Sequence, residues 1–327
     1  MVNKSIHMLI ITLGILINAI MPKAWASENF PTKPLTIIVP YSPGSGTDSV
    51  IRVVQPMLAL ALGVPVTVSN RPGAGGSIGT QAIVDAPADG HTIGFSVTAT
   101  FVTNHFFKKQ SYNPMTDFTY LTRIGYFPRM LLVNKDFPGR THKEFLAQLQ
   151  QNPSKYFFAN IVNSGDMLNA EIYKAATGVK ITSIPYGDNA NAIMRADLLS
   201  NRVQILFSST AAAVAMINSG QLFPIAITGT TRLPIFPDTP SFSELGIKNL
   251  TTSTWYGFVG PAGILPLRQQ KLVQALHQAL ADPTVNTKMS ALGITVSTSS
   301  PEEHRNDVIT TTKLYSPYVQ KLNIIPE

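Results

Sequence analysis

No cysteine occurs among the 327 residues. Disulfides, thiol nucleophiles and thiolate metal sites are therefore excluded. Charge is scarce as well: Asp, Glu, Lys and Arg make up 13% of the chain, scattered and without a basic cluster, so a nucleic-acid surface has no support. One long apolar run is present, residues 8–21, and at about 14 residues it falls short of the ~20 that span a bilayer. His91, His105, His142, His277 and His304 are dispersed, with none of the H-x-x-x-H or H-E-x-x-H spacings that hold zinc. No metal or other cofactor is expected, and His277 reads as solvated. Low-complexity tracts and repeats at a fixed period are also missing.

What is present begins with an export signal. Lys4 supplies a weak positive start, residues 8–21 an apolar core, and Ala24-Trp25-Ala26 a cleavage pattern. Residues 1–26 are thus expected to be a cleaved signal peptide, leaving an exported, soluble protein. Without Lys4 and Lys23 the chain holds 23 basic and 18 acidic residues, a net +5. That mild balance suits a small anionic ligand equally with none.

The stretch around which the chain is organised is IIVPYSPGSGTD, residues 37–48. An apolar β-type run leads into a Pro/Gly/Ser loop, and Asp48 opens an amphipathic segment. A strand that ends in such a loop and opens a helix aims backbone N–H groups and the helix dipole at one point, which favours an anion. The same grammar returns in VTVSNRPGAGGSIG, residues 66–79. The glycines of both loops admit a second reading, tight turns alone; the repetition after consecutive strands favours anion binding. Neither loop is a dinucleotide fingerprint or a G-x-x-x-x-G-K-[ST] phosphate loop.

Further along, residues 35–40, 64–69 and 91–97 read as strands. They alternate with helices over 48–62, capped by Thr47 or Asp48 and closed by Gly63, and over 77–85. Pro56 is expected to kink or split the first helix. This alternation predicts a parallel, doubly wound sheet with ligands at the carboxyl ends of its strands. From residue 126 the chain leaves for a second α/β unit of the same grammar and returns near residue 255. Three Pro-started helices then pack on the outside of the first unit. The expected division is residues 27–125 with 255–327 as one domain and 126–254 as the other, joined by two hinge crossovers around a cleft that closes on ligand.

VPYSPGSGTD, NRPGAGG, ADGHT, IPYGDNA, TTRLPIFPDTPSFSELGI, TWYGFVGPAG and LGITV resemble the Bug, or tripartite tricarboxylate receptor, family of periplasmic solute-binding proteins. NRPGAGG is the most specific, and the likeness runs from about residue 31 to 325. The resemblance implies an α/β, two-domain periplasmic-binding-protein fold of the Venus-flytrap type II kind. It also implies a carboxylate held by the first two loops, through backbone groups and water. Its implied partners are the small carboxylate solute and the membrane permease of a tripartite tricarboxylate-type transporter, or a sensor kinase, with the receptor acting as a periplasmic monomer.

Carried onto this chain, the first loop supplies Tyr41, Ser42, Pro43, Gly44, Ser45, Gly46, Thr47 and Asp48. The second supplies Arg71, Gly73, Ala74, Gly75, Gly76 and Ser77. Thr98 and Thr100 follow the third strand, and the distal wall is Ser164, Gly165, Asp166, Tyr186, Asp188 and Ser208. The chain departs from the family at Ser45, Met167, Leu168, Gly187 and Asp188, which puts a di- or tricarboxylate in doubt. A monocarboxylate, an amino-acid-like or an aromatic acid fits instead, with Asp166 or Asp188 reaching a cationic or hydroxyl group.

Several residues carry two readings. Gly75-Gly76-Ser77-Ile78-Gly79 matches the G-x-S-x-G elbow of a serine hydrolase, the enzyme alternative. That elbow needs its serine directly off a strand, and residues 70–76, with Pro72, intervene. Ser77 reads better as a helix N-cap. Arg71 is either a fork for the ligand carboxylate or a tie to a neighbouring acid. Asp48 reads as a cap that orders the loop, since its charge repels a carboxylate. Trp255 and Tyr256 read as hinge or core residues ahead of ligand stacking.

Overall fold

Alternation along the first strand sets the layering. Leu35, Ile37 and Val39 enter one apolar cluster while Ile38 enters another on the opposite face. The computed structural model describes residues 29–324 and residue 326, apart from 188–189, 248–249 and 251–253. The expected signal peptide therefore lies outside the described residues.

In chain order the elements are β1 (Leu35–Val39), α1 (Gly46–Leu62), β2 (Val66–Asn70), α2 (Ser77–Val84) and β3 (Thr92–Val97). A π-turn (Ala99–Thr103) leads into the short α3 (Asn104–Phe107), then β4 (Phe118–Phe127), β5 (Arg129–Asn134), α4 (His142–Gln151) and β6 (Phe157–Ile161). Next are α5 (Gly165–Thr177), β7 (Thr182–Tyr186), α6 (Asn191–Leu199), β8 (Ile205–Ser209), α7 (Thr210–Asn218) and β9 (Leu222–Ile227). The chain closes with β10 (Thr254–Pro261), α8 (Pro266–Ala281), α9 (Pro283–Ala291), β11 (Thr295–Val296) and α10 (Pro301–Lys321).

Two sheets result, one of six strands in the order β11-β4-β10-β3-β1-β2 and one of five in the order β7-β6-β8-β5-β9. Only one connection, at Pro128, separates β4 of the first sheet from β5 of the second. The chain returns between β9 and β10. The first sheet is mixed, contrary to the parallel expectation. β1 pairs parallel to β2 and β3, but β10 runs antiparallel to β3 and β4, and β11 antiparallel to β4. β4, by which the chain leaves, keeps the direction of β1–β3; the reversed members are β10, by which the chain re-enters this sheet, and the short β11.

Helices α1, α8 and α9 cover one face of the first sheet, through Val50, Ile51, Val54, Leu58, Leu272, Leu276 and Met289. The other face carries α2 and α10. The sequence assigns α10 to the outside of the first unit, yet Tyr315 and Val319 share one cluster with Leu168, Ile172 and Tyr173 of α5, beneath the second sheet. α10 thus crosses from one unit to the other. α1 also begins two residues before the expected start and runs unbroken through Pro56, which is exposed while the apolar stripe Val50–Val54–Leu58 is buried. Burial of that stripe outweighs the hydrogen bond a proline cannot make. Gly63, at φ 69°, closes the helix as expected.

α10 is anchored through a buried polar contact. His304 is fully buried, its Nε2 lying 2.8 Å from Ser96 Oγ. Gly257 permits the approach, because a Cβ there would fall 2.2 Å from His304 Nε2. Asp307, one turn on, accepts from Arg123 Nη1 at 2.8 Å and from the Tyr126 hydroxyl at 3.2 Å. Its Oδ2 stands 3.6 Å from His304 Nδ1, too long for a hydrogen bond. His277 is half-buried rather than solvated, with Nε2 3.0 Å from Thr122 Oγ1 and 3.1 Å from the Ser299 carbonyl.

Burial holds His304 below its usual pKa against the opposing pull of Asp307, and burial does the same to His105 and His142. The folded state therefore binds fewer protons than the unfolded chain just below pH ~6.5, so stability falls as pH drops through that value. Each fully excluded proton contributes about 1.4 kcal/mol per pH unit. Urea unfolding between pH 7.5 and 5 is expected to show this loss. His304→Gln is expected to flatten the slope by up to that amount; an unchanged slope would remove His304 as a contributor.

Candidate functional site

The carboxyl ends of β1, β2 and β3 lie side by side, because β1 sits between the other two. Loop 41–46 leaves β1 and enters α1. Ser45, with extended φ −69° and ψ 161°, is the N-cap and accepts the Asp48 N–H at 3.2 Å, so neither Thr47 nor Asp48 holds that position. Thr47 instead pairs its hydroxyl with Ser45 Oγ at 2.9 Å. This leaves the N–H groups of Gly46 and Thr47 as first-turn donors without helical acceptors.

Asp48 is 2% exposed. Its Oδ2 accepts from Gly44 N–H and from Arg52 Nε, both at 2.8 Å, and its Oδ1 accepts from Asn70 Nδ2 at 3.0 Å. Burial alone would raise this carboxyl; the hydrogen bonds from Arg52, Gly44 and Asn70, with the Arg52 charge, outweigh it and hold the group below the usual carboxylate range. Asn70 Nδ2 also reaches the Tyr41 carbonyl at 2.9 Å. Asp48 therefore orders the loop as its sequence reading expects, although the cap itself is Ser45. Ser42, Pro43 and Gly44 are exposed along the loop's outer turn.

The second loop is stitched to the first. The Tyr41 hydroxyl lies 3.4 Å from the Gly75 carbonyl, which also accepts from Asn104 Nδ2 at 3.1 Å. Gly76, at φ 95°, is the N-cap of α2, displacing Ser77 from that role, since a capping serine needs extended backbone and a free side chain. A Cβ at Gly76 would meet Thr100 Cγ2 at 2.7 Å and Tyr41 Cζ at 3.1 Å, so only glycine fits. Ala74, a non-glycine residue at φ 47°, and Gly73 complete the turn. Ser77 Oγ donates to Gln110 Oε1 at 2.5 Å and is near Asn104, with no histidine recorded among its partners. Arg71 is exposed, its Nε 3.3 Å from Ser69 Oγ, which ties it to its own strand.

Thr98 and Thr100 are buried and structural. Thr98 Oγ1 accepts the Trp255 N–H at 3.0 Å, and Thr100 gives its carbonyl to the Tyr112 hydroxyl at 2.8 Å. On the second sheet, Ser164 caps α5, accepting from Met167 N–H at 3.2 Å, and Gly165 approaches the π-turn, where a Cβ would lie 3.7 Å from Thr103 Cγ2. Asp166, in the first turn of α5, is paired with Arg129: Arg129 Nε donates to Oδ1 at 2.7 Å and Nη2 to Oδ2. Ser208 and Ser209 end β8, with Ser209 capping α7. The Tyr186 hydroxyl donates to Asp197 at 2.9 Å and belongs to the far side of the second sheet. Asp188 lies outside the described residues.

A cavity of about 40 Å³ joins Gly46 and Val50 of the first unit to Ser209 of the second, floored by Phe127 and Tyr256. A larger cavity, about 360 Å³, lies on the opposite face of the same hinge strands, against Tyr126, Trp255 and Thr311, and no candidate residue lines it. Burial raises both Tyr41 and Tyr256, pushing Tyr256 up to about 12 against the pull of Arg129, and Tyr256 raises Tyr41 further. Their hydroxyls stay protonated near neutral pH and serve as donors. Sequence reasoning missed Arg129, Asn70, Asn104 and Tyr112. Only Asn70 carried a local signal, its place at a strand end before the second loop. Among the described residues no group of acidic and histidine side chains is placed to hold a metal.

The start of α1 at Gly46 and the cap of α7 at Ser209 thus share one small cavity between the units, and Tyr41 ties the start of α2 to the first loop. The family model for the tripartite tricarboxylate transporter family receptor matches residues 50–324. Protein BugT of Bordetella pertussis is 31% identical over 283 residues, spanning 86% of each chain. Among solved structures, periplasmic binding protein BugD shows 29% identity and a TM-score of 0.75, over 91% of this chain and 100% of that one. R. palustris Rpa4515, solved with adipate, shows 26% identity and a TM-score of 0.79, over 91% and 100%. With the family model matched over residues 50–324 and a relative 31% identical over most of both chains, the chain belongs to the tripartite tricarboxylate transporter receptor family, a family of periplasmic solute-binding proteins and not of enzymes.

Proposed function

We propose that the protein captures a small carboxylate solute between its two units and delivers it to the permease of a tripartite tricarboxylate-type transporter. The observation that carries this reading is the stitching of two strand-to-helix loops, Tyr41 to Gly75 and Asn70 to Asp48, so that α1 and α2 present their N-termini together. Paired dipoles and the first-turn N–H groups of Gly46 and Thr47 hold one carboxylate, with ordered water bridging where the backbone is too far. Gly46, Thr47, Gly75, Gly76 and Ser77 are the proposed anchoring residues. The hydroxyls of Tyr41, Ser208 and Ser209 complete the contacts. Adipate in one relative supports the ligand class.

Closure is proposed between residues 27–125 with 255–327 on one side and 126–254 on the other. Export is proposed through the signal peptide ending at Ala26, so that the mature periplasmic chain starts at Ser27. The receptor is proposed to act as a monomer without a cofactor.

Thermal unfolding of the mature chain with millimolar carboxylates is expected to rise by several degrees for one chemical group of acids. Stabilisation is RT ln(1 + [L]/Kd), about 4 kcal/mol at a thousandfold excess. A shift with neutral or cationic compounds and none with acids would overturn the reading. Two variants locate the anchor. Gly76→Ala is expected to weaken binding of the active acid at least tenfold, about 1.4 kcal/mol, by calorimetry. Asp48→Ala is expected to cost about 2–3 kcal/mol in denaturant unfolding, because the Asn70 and Gly44 donors lose their buried acceptor.

A further inference from the structure

Asp166 and Arg129 form a two-pronged ion pair with little solvent access, the side chains being 19% and 21% exposed. Arg129 opens β5 directly after the hinge residue Pro128, and its backbone neighbour across the sheet is Ser209. The guanidinium is within electrostatic reach of both Tyr256 and Tyr315. Tyr256 packs with the cluster on the α1 face of the first sheet, whereas Tyr315 belongs to α10 on the other face. A group that faces both stands off the strand ends, between the two units. Gly165, beside Asp166, meets the π-turn that follows β3 from the same side. The pair is thus placed where the two units meet, on the strand position beside Ser209, which lines the small cavity shared with Gly46.

A bidentate fork is what a carboxylate needs for recognition. Here both prongs are taken by a carboxylate of the chain itself. An incoming second carboxylate would meet an arginine whose charge and both prongs are already taken, with nothing to offset the loss of its own hydration in a partly desolvated site. We infer that the Arg129–Asp166 pair is the specificity determinant of the distal wall: Asp166 occupies the guanidinium a second ligand carboxylate would require, so the receptor selects acids with a single carboxylate and an uncharged or hydroxylated far end. The inference rests on the carboxylate-receptor reading above and narrows it. Ser209, beside Arg129 across the sheet, offers that far end a neutral hydroxyl.

The test is calorimetric titration of the mature protein with butyrate and hexanoate against succinate and adipate. The wild-type chain is expected to bind the monocarboxylates at least tenfold tighter than the dicarboxylates of equal length. Asp166→Asn keeps an acceptor for Arg129 but removes the charge, and is expected to shift the dicarboxylate-to-monocarboxylate affinity ratio at least tenfold toward dicarboxylates. Asp166→Ser provides the same reading should the first variant fold poorly. Adding Arg129→Gln to Asp166→Asn is expected to abolish the shift, which separates a freed guanidinium from a merely loosened cleft. Dicarboxylates bound by the wild type as tightly as monocarboxylates, or an unchanged ratio in both single variants, would overturn the inference alone. Wild-type protein that binds no acid of either kind would overturn the receptor reading and the inference with it.

Discussion

The Asp48 carboxylate is the interaction on which the anchoring half of the cleft depends. An anion buried to 2% exposure costs several kcal/mol unless its lone pairs are filled, and here three donors from three segments fill them. Gly44 comes from the loop, Arg52 from the next turn of α1 and Asn70 from the end of β2. The loop, the helix start and the neighbouring strand are therefore held in one arrangement. From Asn70 the order passes to Tyr41, from Tyr41 to Gly75, and from Gly76 to Thr100 by close packing. A socket made of backbone N–H groups has no rotamers of its own, and its precision comes from what pins the backbone. That task falls to the buried Asp48 carboxylate.

The second constraint is mechanical. Two crossovers suggest a free hinge, but α10 adds a third link by packing Tyr315 and Val319 against Leu168, Ile172 and Tyr173. Its own attachment to the first sheet is strong, through Ser96–His304 and Arg123–Asp307. Burial of this seam favours sliding of α10 along α5 over separation of the two, the shear mode of closure rather than a pure hinge. The tight approach of α10 to β10, which only glycine at position 257 allows, keeps the fixed end of the lever on the first unit.

Much of this was legible where the signal is local. The strand-loop-helix grammar of residues 35–97, the closing role of Gly63 and Gly178, and the division into two α/β units all follow from apolar alternation and turn residues within a few positions of one another. Caps were displaced by one to three residues, at Ser45 for α1 and Gly76 for α2, because capping is decided by backbone angles that composition does not reveal. The reversed direction of β10 escapes such local reading, because it depends on where the chain returns from. His277 looked solvated on its helix, yet it reaches Thr122 and Ser299, 155 and 22 residues away. Arg129 was invisible for the same reason: its partner lies 37 residues ahead, and nothing around Pro128 marks a charged residue as facing the cleft.

Charge placement explains how an anion receptor tolerates acidic residues in its cleft. Asp48 and Asp166 each sit in the first turn of a helix, where the dipole stabilises them, and each is paired with an arginine, Arg52 and Arg129 respectively. The two pairs are not equivalent. Arg52 is half-exposed and screened by water, so the Asp48 unit leaves the dipole of α1 available to a ligand at Gly46 and Thr47. Arg129 is enclosed, so its pairing with Asp166 consumes a cation that would otherwise face the ligand. One wall of the cleft thus keeps its positive potential in the backbone, and the other cancels it in side chains. For the carboxylate proposed above, the first unit thus offers backbone N–H groups, while the paired Arg129 of the second unit offers no free side-chain charge.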